Sequence, residues 1–136
     1  MGSKNRILLG FITNIIIHNI RNTFKSKDLY ITKRKLRLIK IKHPNEFQYI
    51  KDDEFQTILN NTIASFKYKK DKTVLNFISN IDNKFILFGI SNNSYYLHLS
   101  TLFYPSKKQL KNFKDSMRFF SPKDKIFFEK YIENKN

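Results

Sequence analysis

The sequence predicts an α+β domain in which N-terminal helices pack on a four-stranded antiparallel meander and further helices follow at the C-terminal end. Three observations predict it. Apolar residues recur at helical spacing up to about residue 61, and the period changes to two between residues 62 and 104. The clusters that separate the period-two runs are too short for a crossover, so neighbouring strands must run antiparallel. A length of 136 residues predicts a single domain, 1–136, with Met1, Gly2 and Ser3 reading as a tag scar.

In chain order, Lys4 and Arg6 precede an apolar run over residues 7–17. It is too short to span a bilayer as a helix, and polar His18, Asn19, Arg21 and Asn22 stand where a leader would have small residues. The run therefore predicts an amphipathic helix, with Leu8, Ile12, Ile15, Ile16 and Ile20 on one side. Residues 29–31 read as a short strand. Thr32 is a suitable N-cap for a helix over 33–43, which Pro44 ends because it disfavours α conformation in the residue before it. A third helix is expected from Asp52 or Asp53, whose carboxylates suit a positive helix end, and it buries Phe55, Ile58 and Leu59 ahead of Asn60 and Asn61.

The β-rich runs are 63–68, 74–81, 85–90 and 95–103, punctuated by KKDK at 69–72, Asp82-Asn83 and SNNS at 91–94. In the last run strict alternation puts Tyr95, Leu97, Leu99, Thr101 and Phe103 on one face. Tyr96, His98, Ser100, Leu102 and Tyr104 fall on the other, more polar face. Pro105 closes the run. Residues 106–119 and 122–132 read as two basic helices, the second capped by Ser121 with Pro122 in its first turn.

Charge points to the partner. Lys and Arg number 26 against 11 Asp and Glu, a formal net charge of +15, which concentrates polyanions around a protein and says little about its fold. The cations are densest in the predicted second helix: Lys33, Arg34, Lys35, Arg37, Lys40 and Lys42, with no acidic residue among them and His43 at the end. Such a cluster suits a phosphate backbone lying across it; the plainer alternative is a solvated helix face. Cysteine is absent, which rules out disulfides and thiolate metal sites. His18, His43 and His98 form no spaced ligand set, so neither a metal nor another cofactor is expected.

RNA carries its own nucleophile, the 2′-hydroxyl. A protein that cleaves it needs a base for that proton, an acid for the leaving 5′-oxygen, and cations for the crowded phosphate. Imidazole exchanges protons near neutrality, which makes His43 the candidate proton carrier. Lys42, Lys40, Lys35 and Arg34 are candidates to neutralise the phosphate, and Ser100 or Thr101 to orient a non-bridging oxygen. Tyr96 and Tyr104 offer stacking faces, with His98 lining the same groove. Each has a plain reading too: His43 as a polar helix terminus, Thr101 as an ordinary β-former. Ser100 and Thr101 share a groove only if the strand bulges.

The order of parts resembles the phage-associated nucleases of the barnase, EndoU, colicin and RelE (BECR) group. The resemblance covers residues 29–114: a short strand, a basic helix ending in Lys42-His43-Pro44, an acidic-capped helix, a meander, and a final strand reading STLFYPS at 100–106. It implies an α+β ribonuclease that cleaves RNA, often tRNA, without metal and gives a 2′,3′-cyclic phosphate and a 5′-hydroxyl. His43 falls on the family's helix-end histidine, and Ser100, Thr101 and Tyr104 fall on its hydroxyl-bearing strand. The family's H-I-x-x-x-H pattern has Leu38 at its first position here, so acid and base roles would have to be redistributed. Toxin or phage cargo acting in a cytoplasm, and an acidic immunity or antitoxin protein covering the cationic surface, are the implied setting and partner. Two rivals stand beside it. One is a non-catalytic basic nucleic-acid-binding or virion-associated protein, the other a membrane-surface protein using the apolar first helix.

Overall fold

The computed structural model describes residues 5–20, 24, 26–67, 74–93 and 96–133. The fold is α+β, with six α-helices and a mixed seven-stranded sheet among the described residues. Strands β1 (Arg6–Phe11), β2 (Asp28–Thr32), β3 (Thr62–Phe66), β4 (Val74–Ile81), β5 (Lys84–Asn93), β6 (Tyr96–Phe103) and β7 (Arg118–Phe119) lie in the order β1-β2-β6-β5-β4-β3-β7. All neighbours are antiparallel except β2 and β6. Helices α1 (Asn14–Asn19), α2 (Lys33–Lys42), α3 (Pro44–Lys51), α4 (Phe55–Asn60), α5 (Lys107–Phe113) and α6 (Pro122–Glu133) complete it.

Four consecutive strands, β3 to β6, are neighbours in the sheet, but they are the middle of it and not the whole. Two corrections enlarge the expected four-stranded meander. Residues 6–11, expected in a helix, form edge strand β1 on β2. Gly10 weakens a helix there, and Thr13, whose side chain accepts the N–H of Ile16, starts the true helix at Asn14. Ile12 and Ile16 are buried, whereas Leu8 and Ile15 are exposed. The expected helix over 106–119 breaks into α5, a 3₁₀ turn at Lys114–Ser116, and β7, which pairs with β3 through Phe119–Ala64 and Arg118–Ser65.

Other local signals act as their chemistry dictates. Thr32 caps α2 through the N–H of Lys35, and Ser106 with Gln109 forms a reciprocal capping box on α5. Pro44 ends α2, yet it also opens α3 at the first helical position, where a missing N–H costs nothing. The expected helix at Asp52 begins later, at Phe55, because Asp53 turns the chain with φ 56°. Asp82 and Asn83, both at positive φ, make the tight β4–β5 hairpin. The KKDK and SNNS turns and Tyr95 fall partly or wholly outside the described residues.

Each face of the sheet has its own core. On one, Ile16 of α1, Ile39 of α2 and Phe55, Ile58 and Leu59 of α4 cover Leu29, Ile31, Phe77, Phe88, Leu97, Leu99 and Leu102. On the other, Leu110 of α5 and Phe128 and Ile132 of α6 cover Ile63, Phe66, Ile78, Phe85 and Leu87. The buried sheet residues of the second group lie on β3, β4 and β5, with Phe103 at the end of β6 and Phe119 of β7 packed against them, so the core under the C-terminal helices does not reach β1, β2 or the first part of β6. At the outer edge of β1, the Gln56 side-chain amide takes the place of a strand, accepting Phe11 N–H at 2.8 Å and donating to Phe11 O at 2.9 Å.

No described helix is long and apolar enough to cross a membrane. The expected amphipathic first helix, on which a membrane-surface role would rest, is cut to α1 (Asn14–Asn19), because residues 6–11 are a strand.

Candidate functional site

Pro44 fixes the position of His43. Since α2 cannot run through the residue before a proline, His43 ends α2, its N–H bonded to Ile39 O at 2.7 Å, and opens α3 with φ −136° and ψ 64°. The imidazole sits at a helix corner. Its ring centroid lies 6.0 Å from that of Phe103, and its Nδ1 is 3.5 Å from Oε2 of Glu46.

Glu46 is the third residue of α3, where the partial positive charge of the helix end favours a carboxylate. It is buried, 7% exposed, and a buried carboxylate needs its oxygens bonded. The Oε2 atom that faces His43 also accepts the N–H of Tyr104 at 2.9 Å. That amide lies just past the end of β6 and beyond β2, which pairs only with Leu97 and His98 before the chain leaves the sheet as α2. From there on, α2 and the start of α3 stand beside β6 where another strand would be.

The facing wall is a bulge in β6. Gly89 pairs with Thr101 and Ile90 with Leu99, so Ser100 is one residue too many for the ladder. The apolar pattern demands it: Leu97, Leu99 and Leu102 all enter the first core, and the three-residue step between the last two cannot be made by strict alternation. Leu102 is thereby moved to the apolar face and Thr101 to the polar one, the reverse of what alternation predicts. Gly89 accommodates the crowding opposite, since a Cβ there would stand 2.9 Å from the stiff methyls of Thr101 and Val74 and from Asn76 Oδ1.

The result is a cavity of about 180 Å³ between α2 and β6, lined by Lys35, Leu38, Lys42, His43, Ser100 and Thr101 together with Ile39 and Leu102. All four expected catalytic residues, His43, Lys42, Ser100 and Thr101, are gathered here. So is Lys35, which shares one stripe of α2 with Leu38 and Lys42.

The other expected residues lie elsewhere. Lys40 Nζ sits 5.8 Å over the Phe47 ring, and Arg34 is exposed outside the cavity. The Tyr104 ring packs on the first core and its hydroxyl donates to Tyr49 Oη at 3.2 Å. Burial, then that bond, raises its pKa far above that of a free phenol, so it stays protonated. Tyr96 and His98 belong to a second cluster with Arg6 and Tyr30. The Arg6 guanidinium lies 3.3 Å from the Tyr96 centroid and 4.6 Å from that of Tyr30. His98 stacks on Tyr96 at 5.9 Å. Burial first, and the Arg6 charge second, hold His98 below the ordinary imidazole value.

Sequence reasoning passes over Glu46, Arg6 and Tyr30. The signal for Glu46 is its place three residues after a histidine, one helical turn across Pro44. Among the described residues no three or more His, Cys, Asp or Glu side chains stand close enough to hold a metal ion. Compared with protein-family models, curated proteins and solved structures, the chain matches none.

Proposed function

We propose that the protein is a metal-independent endoribonuclease of toxin or phage-effector type, acting on tRNA or other structured RNA. The observation that carries the proposal is the convergence of His43, Lys42, Lys35, Ser100 and Thr101 on one cationic cavity. In this reading His43, steadied by Glu46, takes the 2′-hydroxyl proton as the 2′-oxygen attacks phosphorus. The bond to the 5′-oxygen breaks, and the Lys42 ammonium supplies that oxygen's proton. Lys35 neutralises the phosphate, and the Ser100 and Thr101 hydroxyls donate to its non-bridging oxygens. The products are a 2′,3′-cyclic phosphate and a 5′-hydroxyl, and no water is consumed.

The run of β2, basic α2 and the β3–β6 meander supports placing the domain with the barnase, EndoU, colicin and RelE group. Leu38, where that group's pattern has a second histidine, lines the same cavity as His43. The proposal carries with it a cytoplasmic site of action, delivery as phage or toxin cargo, and an acidic immunity or antitoxin partner. Incubating the pure protein with total tRNA in EDTA tests it. Defined fragments ending in cyclic phosphate, slowed roughly a hundredfold or more in His43→Ala, support it; intact RNA overturns it.

One observation favours a second reading, a non-catalytic basic nucleic-acid-binding or virion-associated protein. Glu46 Oε2 is nearer to the Tyr104 N–H, at 2.9 Å, than to His43, at 3.5 Å, as suits a plain cap for the β6 edge. That protein would retain RNA in a salt-sensitive way and leave it whole.

A further inference from the structure

The half of the sheet face that α5 and α6 leave uncovered carries aromatic and cationic side chains where the covered half carries apolar ones. Leu29 and Ile31 of β2, and Leu97, Leu99 and Leu102 of β6, point into the first core. Tyr30, Tyr96, His98 and, beyond the bulge, Thr101 therefore look out from the opposite face. Arg6 joins them from β1. All four members of the cluster, Arg6, Tyr30, Tyr96 and His98, are half-buried. The two tyrosines meet edge to face at 5.9 Å, and the Arg6 guanidinium lies in their corner.

Nothing in this arrangement neutralises Arg6. Among the described residues it forms no ion pair, and its Nε, like Nε2 of His98, is buried without a hydrogen bond. A guanidinium 3.3 Å from a phenol ring is the first layer of a stack, and its outer side is a cationic plane on which a nucleobase continues that stack. His98 and Thr101 pair with Ser91 and Gly89, two residues apart on β5, so roughly 7 Å of strand separates them, which is the reach of a neighbouring nucleotide. Bases paired in a duplex cannot be laid on such a plane; bases of a loop or a single strand can.

We propose that the Arg6–Tyr30–Tyr96–His98 cluster is a nucleobase site that holds an unpaired nucleotide beside the phosphate at Thr101, making single-stranded RNA segments the substrate. The proposal rests on the RNA-cleaving reading for the role of the phosphate site, and its test is independent of cleavage. Fluorescence anisotropy with a short fluorescein-labelled single-stranded RNA, 2′-O-methylated throughout so that it cannot form a cyclic phosphate, measures binding directly. The same strand annealed to its complement is the comparison.

The single strand is expected to bind about tenfold more tightly than the duplex, and Tyr96→Leu and Arg6→Gln each to weaken it about tenfold. Tyr96→Phe, which keeps the ring, and Arg37→Gln, which removes a charge elsewhere, are each expected to stay within about threefold. Equal or stronger binding of the duplex overturns the proposal. So does single-strand binding by Arg6→Gln no weaker than by Arg37→Gln, a comparison that stands even if Tyr96→Leu fails to fold. The expected binding pattern without cleavage of unmodified RNA leaves the base site in place and removes the catalytic reading. Cleavage that is indifferent to Arg6 and Tyr96 does the opposite.

Discussion

A histidine before a proline is a helix corner before it is anything else, and at residue 43 the corner brings a carboxylate to the ring. Glu46 has two duties, to accept the Tyr104 N–H and to face His43 Nδ1, and substitution separates them. Glu46→Gln keeps an acceptor for the amide and loses the charge. It is expected to cut RNA cleavage roughly tenfold or more while leaving the urea midpoint nearly unchanged. Glu46→Ala also removes the partner of the half-buried N–H, at a cost of about 1 kcal/mol in the same urea titration. Equal activity in Glu46→Gln would reduce the residue to an edge cap. His98 gives a pH dependence whose sign follows from its lowered pKa. As pH falls through about 6.5, the unfolded chain takes up a proton that the folded chain resists. The stability is thus fully present above that value and is lost as pH falls toward the folded value. His98→Phe keeps the ring and removes the titration, so the drop in urea midpoint between pH 7.5 and 5.5 should shrink. An unchanged drop would assign the acid sensitivity to other groups.

Among elements, β6 shows where a period is informative and where it misleads. Reading 95–103 as strict alternation finds the strand and assigns its second half to the wrong faces; the spacing of Leu97, Leu99 and Leu102 contains the bulge that resolves the conflict over Ser100 and Thr101. Deleting Ser100 leaves Thr101 and Leu99 adjacent, opposite Gly89 and Ile90, which are adjacent already. The healed strand keeps all three leucines in the core. It is therefore expected to melt within about 5 °C of the parent, with RNA cleavage slowed roughly tenfold or more because the Ser100 hydroxyl is lost from the cavity wall while that of Thr101 stays. A deletion variant that cleaves as fast as the parent would show the bulge to be a packing device only. The same contrast explains the N-terminal segment. Its apolar residues fit a helical stripe, but Gly10 and the Thr13 cap divide it, and pairing with β2 and Gln56 supplies the backbone hydrogen bonds of a strand. Local signals such as Thr32, Ser121 and the Asp82-Asn83 turn could be read directly because each acts within four residues.

At the scale of the molecule, the sequence contained the meander but not the sheet that encloses it. The β2–β6 parallel pair joins residues nearly seventy positions apart, and the β3–β7 pair uses a two-residue strand; neither leaves a local trace. Charge was plain from composition, yet its distribution required the fold. Of the six cations on α2, Lys35 and Lys42 line the cavity, while Arg34 and Arg37 are exposed on the helix outside it. Under the proposed function, a net charge of +15 would make two separable contributions to RNA binding, a diffuse one that raises encounter rates and a local one at the phosphate. Each neutralised phosphate contributes about −0.7 to the slope of log K against log salt for a single strand. Lys35→Gln with Lys42→Gln should then flatten that slope by about 1.4, measured by anisotropy on an uncleavable RNA, whereas Arg34→Gln with Arg37→Gln should change it by less than half as much. If both pairs flatten it equally, the RNA lies across the whole helix, and the cavity between α2 and β6 has no privileged claim on the phosphate.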